Sequence, residues 1–349
     1  MVPSSRRCLP LILAGALCLA WTGNPVRAQQ RSWVLDWLNE YASGQYEDVA
    51  QRFRTVADPG TLEKDLDDLI GDWLKQGGAN QDDRRRIAAA FALEAAYARV
   101  ETGERATKLL EWGCRQIRRI PRARAGEFEH TWHLAAFAVM AGAVDPDAIE
   151  SHIGHMKFQF PDEARLPFER AVAAELRAAP FFEDGKASAD TIRKRYEEAA
   201  KRYRAVTGEG SAHVEANIRL AHVELELGHP DAALAALDEL PEDAIAEPTL
   251  GYLSKLLRGR ALDRLGRPDD AIVPLTEALL IQPGAQSATI ALASVHFRQG
   301  RGGVADRLMA QLLARPTPAQ DPWWFYWPAD FRYITGLVPA MRTGLTHVS

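Results

Sequence analysis

A short phrase recurs along this chain at a spacing that few folds accommodate. Leu227-Gly228-His229-Pro230-Asp231-Ala232-Ala233-Leu234 returns as Leu265-Gly266-Arg267-Pro268-Asp269-Asp270-Ala271-Ile272. A looser copy, Gln299-Gly300-Arg301-Gly302-Gly303-Val304-Ala305, sets its glycine 34 residues after Gly266. A glycine turn, a helix-starting proline and an apolar run at that interval are the period of a two-helix repeat. One such hairpin cannot bury its apolar face alone, so neighbours stack around one continuous core and leave an extended curved surface exposed. The expected fold is therefore all-α, a solenoid of stacked helix-turn-helix hairpins.

The rest of the chain agrees with that expectation. Arg86 to Val100 and Thr191 to Val206 are rich in Ala, Leu, Glu, Lys and Arg, with apolar positions three and four apart, and strand signals are nearly absent. Breakers fall between such stretches, at Asp58-Pro59-Gly60, Gly77-Gly78, Ala179-Pro180, Thr207-Gly208-Glu209-Gly210 and Gln282-Pro283-Gly284. A length of 349 residues exceeds one ordinary core, but a solenoid escapes that limit because each unit touches only its neighbours.

The first 28 residues read as a cleavable secretory leader. Arg6 and Arg7 precede an apolar run from Leu9 to Trp21, and Val26-Arg27-Ala28 supplies a small-residue cleavage site, so the mature chain is expected to start at Gln29. The run is too short to span a bilayer, and the residues before Cys18 do not suit lipid attachment. Cleavage would remove three arginines and no acid, taking the formal net charge from −5 to −8. It would also leave Cys114 as the sole thiol, set among helix-forming apolar residues as a small buried hydrophobe. An acidic chain without a basic run is a poor match for nucleic acid or anionic membrane. The expected location is periplasmic or secreted, without an integral membrane span.

Residues 252–285 resemble a tetratricopeptide repeat at nearly every signature position. Gly259 stands at the small first-helix site, Gly266 at the turn, Ala271 and Ala278 at the small second-helix sites, and Pro283 closes the unit. Residues 214–251 repeat the scheme with Leu220, Ala221, Gly228, Ala233 and Leu237, with extra residues expected around Pro241-Glu242-Asp243. Residues 286–316 follow with Leu292, Ala293, Gly300, Ala305 and Pro316, and Tyr196-Glu197-Glu198-Ala199 with Tyr203 resembles a second helix one period upstream. Ser43-Gly44-Gln45-Tyr46 with Phe53, and Thr102-Gly103-Glu104-Arg105-Ala106, resemble the same turn in a more divergent half. The resemblance implies a right-handed superhelix of secreted bacterial type whose activity is binding another protein, without catalysis or cofactor. The expected division is leader 1–28, divergent helical region 29–179, repeats 180–316 and a tryptophan-rich closing segment 317–349. In that last segment Asp321 to Pro328 holds three tryptophans in five positions. A terminal element covering the last repeat's apolar face is the expected role.

In such a stack the first helices line the concave face. That places Arg219, His222 and Glu226, then Arg260, Asp263 and Arg264, then Ser294, Phe297 and Arg298 along one partner-binding groove, where arginines offer bidentate contacts to carboxylates. The partner expected is an extended peptide or a helix of another envelope or secreted protein, with self-association through the solenoid ends as a further option. The lysine and asparagine pattern with which some relatives clamp a chaperone's terminal carboxylate is not matched. The competing reading is a metal-binding protein or hydrolase built on His130-x-x-His133 and His152-x-x-His155, each pair on one helical face. It lacks the glutamate of protease-type helix motifs, and no phosphate-cradling loop or nucleophile elbow accompanies it.

Overall fold

The computed structural model describes residues 25–55, 70–76, 80–104, 106–179, 182–208, 210–240, 245, 247–315 and 320–346, with the side chains of 25–32, 183 and 184 left aside. The breakers at 58–60 and 77–78, Arg105, Pro180, Glu209, the extra residues 241–243 and Pro316 lie outside the described residues, as does the leader up to residue 24. Sixteen α-helices follow in order among the described residues, with no strand between them. They are α1 Pro25–Ala42, α2 Tyr46–Phe53, α3 Gly71–Lys75, α4 Gln81–Glu101, α5 Thr107–Ile117, α6 Glu127–Gly142, α7 Pro146–Gln159 and α8 Leu166–Leu176. The second half comprises α9 Ala189–Arg204, α10 Ser211–Leu227, α11 Pro230–Asp238, α12 Pro248–Arg264, α13 Pro268–Ile281, α14 Gln286–Arg298, α15 Gly302–Leu313 and α16 Ile334–Thr346.

Apart from α3 and α16 these helices pair as hairpins: α1 with α2, α4 with α5, α6 with α7, α8 with α9, and so on to α14 with α15. The first helices of successive hairpins also touch, α4 with α6, α8 with α10, α10 with α12 and α12 with α14, which makes the assembly an all-α solenoid with one lining layer. Local chemistry sets the helix ends. Asp145 accepts the amide of Ala148 at 3.0 Å ahead of Pro146, and Ser188 caps α9 through the amide of Thr191 at 3.2 Å. Gly228 and Gly266 hold φ of 83° and 70°, the left-handed turn the recurring phrase requires. At Gly259 a Cβ would sit 2.5 Å from Cγ of Leu275, so the close crossing of α12 and α13 depends on the missing side chain.

Two sequence expectations are revised, the boundary at residue 180 and the closing cap. The first helix of the unit containing Tyr196 is α8, which begins with Pro167 in its first turn, where the ring is tolerated. Residues 166–176 therefore form a regular repeat helix, and a boundary near residue 180 falls between the two helices of the α8–α9 hairpin. The closing segment is not a cap on the last hairpin. Ala305 is the one fully buried residue of α15, and Leu313 is 79 % exposed.

Residues 321–346 instead turn back along the lining layer as a strap. Its 3-10 turn at Pro322–Phe325 rests on α12, the next at Ala329–Tyr333 rests on α6, and α16 packs on α6 and α4. The strap goes there because its polar groups find partners on the first helices, as described below, and because Gly142 of α6 has no side chain where Phe331 packs. Gly259→Val should force Leu275 aside and lower the melting temperature by an amount corresponding to about 1–3 kcal/mol. Adding Leu275→Ala should recover part of that loss in thermal denaturation, whereas a purely additive double variant would contradict the close-crossing account.

Candidate functional site

The lining layer carries one buried glutamate after another. Glu94, Glu129, Glu169, Glu175 and Glu215 come from α4, α6, α8, α8 and α10, and none is more than 3 % exposed. An uncompensated buried carboxylate costs several kcal/mol, so each demands donors. Glu175 collects four. Tyr203 and Tyr326 donate hydroxyls at 2.6 and 2.5 Å, Arg219 donates Nη1 at 3.1 Å, and His222 donates Nδ1 at 3.0 Å. Burial pushes the Glu175 carboxyl up, but the His222 hydrogen bond and the Arg219 charge outweigh it and hold the group below the usual carboxylate range. Burial and the Glu175 charge in turn push both tyrosine hydroxyls well up, which keeps them as donors.

Glu129 takes Arg86 of α4 at 2.6 Å, and the strap joins the networks of the other three. Arg332 pairs with Glu215, Arg165 bridges Glu169 and Asp330, and Arg342 takes Glu94 through Nε at 2.8 Å and Nη2 at 2.6 Å. Tyr41 donates to the same Glu94 at 2.5 Å. The guanidinium of Arg219 donates Nη2 to the backbone oxygen of Tyr326 at 2.8 Å and lies over that ring, 4.5 Å from its centroid. At the strap's start, Asp321 accepts from Tyr252 at 3.0 Å and from the amide of Ser287 at 2.5 Å. His222 is enclosed by the rings of Trp323, Tyr326 and Trp327.

The expected groove residues thus divide. Arg219 and His222, at 2 % and 3 % exposure, face the strap and are withdrawn from solvent. Further along, Arg260, Asp263, Arg264 and Ser294 line an open cleft of about 390 Å³ together with Leu256, Ser287, Ile290, Ala291 and Trp323. Phe297 is 70 % exposed. Arg298 pairs with Asp263 and donates to the Ser294 hydroxyl at 2.6 Å, while Arg264 donates to the backbone oxygen of Leu225 and approaches Glu226 at 3.9 Å. Arg260 differs. It is half-buried, its guanidinium lies 5.3 Å from the Trp323 ring centroid, and it has no hydrogen-bond or ion-pair partner among the described residues. Burial draws its pKa below the ordinary arginine value, with Glu226 opposing and Arg264 reinforcing the shift.

The histidine pairs do not converge on one point. His130 is drawn to Glu163 at 2.6 Å, and His155 sits partly exposed with its ring centroid 6.1 Å from that of His152. His133 and His152 join Cys114 and Gln159 in a buried chain whose proton directions follow from its end. Gln159 Nε2 donates to the carbonyls of Ile117 and Ile120 at 3.0 and 3.1 Å, leaving Oε1 to accept from His133 Nε2 at 2.9 Å. His133 Nδ1 then accepts from His152 Nε2 at 3.0 Å, and His152 Nδ1 accepts the Cys114 thiol at 2.9 Å. Burial holds every member neutral, lowering His133 to about 4 and His152 further, and raising the Cys114 thiol. The cysteine is buried, as its apolar surroundings indicate, and its hydrogen is committed. Among the described residues no group of three or more histidine, cysteine or acidic side chains is placed to hold a metal ion.

Sequence reasoning missed Glu94, Glu169, Glu175, Tyr326, Asp330, Arg332 and Arg342. The available signal was a lone glutamate within an apolar helical run, as in Ala173-Ala174-Glu175-Leu176, which has to be paired inside.

The fold and its lined concave face define a helical-hairpin repeat scaffold. Residues 192–247, from α9 through α11, match the tetratricopeptide repeat family. No curated protein matches the chain.

Burial pushes Glu215 up, but the charges of Arg332 and Arg219 prevail and hold it at about 2, against 4.5 when free. The stabilisation from this depressed carboxyl is present above the free value and lost as pH falls through the folded one. Denaturant titrations should show stability falling steeply between pH 4.5 and about 2. In Glu215→Gln the neutral-pH stability should drop by about 3–5 kcal/mol and this acid slope should flatten; an unchanged slope would place the carboxylate outside the network.

Proposed function

We propose that this protein is an exported docking scaffold, without catalysis, that takes an acidic, extended segment of another envelope protein into the open stretch of its concave face. Tetratricopeptide repeats generally mediate protein–protein interaction. The reading here is narrower and is carried by one observation. Arg260 is a half-buried cation without a protein acceptor among the described residues, on a face where Arg165, Arg219, Arg264, Arg298 and Arg332 each meet one. A planar guanidinium held against an indole and flanked by Arg264 favours a carboxylate, which it can take with two parallel hydrogen bonds. Ile290, 43 % exposed, supplies apolar area in the same cleft. Asp263 and Ser294 line the cleft, each held by Arg298, while Glu226 approaches Arg264 at 3.9 Å.

Export rests on the leader-like residues 1–28. No helix among the described residues is long and apolar enough to cross a membrane. The first turn of α1 spans the expected cleavage point after Ala28.

Arg260→Glu combined with Arg264→Glu should cut recovery of the partner from an envelope extract by at least about tenfold, since hydrogen bonds to charged groups are worth about 1.5–3 kcal/mol. The circular dichroism spectrum should be unchanged. Equal recovery would remove the cleft from consideration. Terminal sequencing of the protein from the envelope fraction should begin at Gln29; an intact Met1 in the cytosol would contradict export.

A further inference from the structure

The strap that closes the inner half of the groove is fastened at its middle by an unbalanced charge cluster. Asp330, in the turn Ala329–Tyr333, is 3 % exposed and contributes one oxygen, Oδ2, to Nη2 of Arg165. Its other oxygen, Oδ1, is fully buried and accepts no hydrogen bond from any ordinary donor among the described residues. Glu169 takes Nε of the same Arg165 at 2.6 Å, so the two carboxyl groups sit on two nitrogens of one guanidinium. Two buried carboxyl groups therefore share a single guanidinium, which leaves Asp330 Oδ1 without a donor among the described residues.

The other charges around the pair are already engaged. From α10, Glu215 is taken by Arg219 and Arg332, and Arg219 also serves Glu175. Within the strap, Tyr333 donates to Glu247 at 3.2 Å and accepts from Arg332. On the α6 side, His130 pairs with Glu163, which also accepts the backbone amide of Arg165. None is free to neutralise the second carboxyl.

We propose that Glu169 and Asp330 share one proton across the strap interface, and that loss of this proton releases the strap from the concave face. In the closed state Glu169 is a carboxylic acid donating its hydrogen to Asp330 Oδ1. The pair then carries one negative charge against one Arg165, every buried polar atom of the pair is satisfied, and Ala329 is held at its positive φ of 45°. When hydroxide removes the proton as water, two carboxylates face each other with one cation between them. The repulsion is relieved by swinging Asp330 and its turn into solvent. Burial and the Asp330 charge raise the Glu169 carboxyl well above its ordinary value, with Arg165 opposing, in agreement with this arrangement. Release would uncover Arg219, His222 and Glu175, extending the open cleft into a groove along the whole lining layer. The lock needs no partner and stands or falls independently of the acidic-segment reading.

The sign follows from the raised group. Docking is favoured wherever the proton is bound, and the open fraction grows about tenfold per pH unit between the free and docked values, then levels off. Arg332 and Arg342 have side chains only 12 % exposed while docked, so tryptic cleavage after them reports release. Cleavage rates measured from pH 6 to 9 on the full chain, each divided by the rate for a synthetic peptide of residues 321–349 at the same pH, should rise by up to about tenfold per unit over part of that range. In Glu169→Gln the side-chain amide donates permanently to Asp330 Oδ1, so cleavage should stay low and flat. Asp330→Asn, whose amide donates to Glu169 while its carbonyl keeps Arg165, should behave alike and decides the matter if the first variant fails to fold. A flat wild-type profile, or either folded variant retaining the wild-type slope, would overturn the proposal.

Discussion

One buried carboxylate ties the architecture together. Glu175 sits on α8 with no exposure to solvent, and its four donors come from α9, from two turns of α10, and from the strap. Removing any one leaves a charge in a low-dielectric site short of a partner, and loss of Arg219 would leave the carboxylate without its cation. The arrangement is thus cooperative: the repeat stack is complete only when residue 326, 151 positions downstream, has returned to it. Glu94, Glu169 and Glu215 extend the same requirement along the lining layer, each answered by one strap residue or by an arginine that the strap shares.

The consequence for function is a groove of two unequal parts. Over α4 to α10 the concave face is filled by the chain's own aromatic and charged residues, in the manner of a bound ligand. Over α12 and α14 it remains open, with Arg260 stacked on the strap's Trp323 at the junction. The strap is therefore both a wall of the open cleft and the occupant of the closed one, so its position governs how much of the first-helix surface a partner can reach. The outer face of α15 receives no such cover from the described residues.

Much of the stack is legible from sequence because its causes are local. Gly228, Gly266 and Gly300 mark turns by their positive φ, Gly259 marks a crossing too close for a side chain, and Pro230 and Pro268 open second helices. The α8 helix hid behind Pro167, which reads as a breaker unless its place in the first turn is known. What escaped was non-local. Nothing in the period of the repeats says that residues 321–346 leave the end of the stack and seek Glu94, 248 positions upstream of Arg342. Arg219 and His222 lie on the expected face of α10, yet the same logic that puts them on the concave side cannot tell a face open to partners from one closed by the chain itself. The histidine pairs were read from helical spacing alone, whereas His133 and His152 meet across two helices, bond each other and end on a thiol and an amide.

The account stands on the strap being a stable part of the fold. Amide hydrogen exchange of residues 334–341 at pH 6 tests this most directly, since α16 packs chiefly on α4, α6 and the preceding turn, with Arg342 also reaching Glu47 of α2. Protection close to that of α10, lost together with the strap's other contacts in Arg332→Ala, is the expected result. Exchange at the rate of an unstructured segment, with α10 still protected, would show that the concave face is empty and that the buried glutamates are satisfied in some other way.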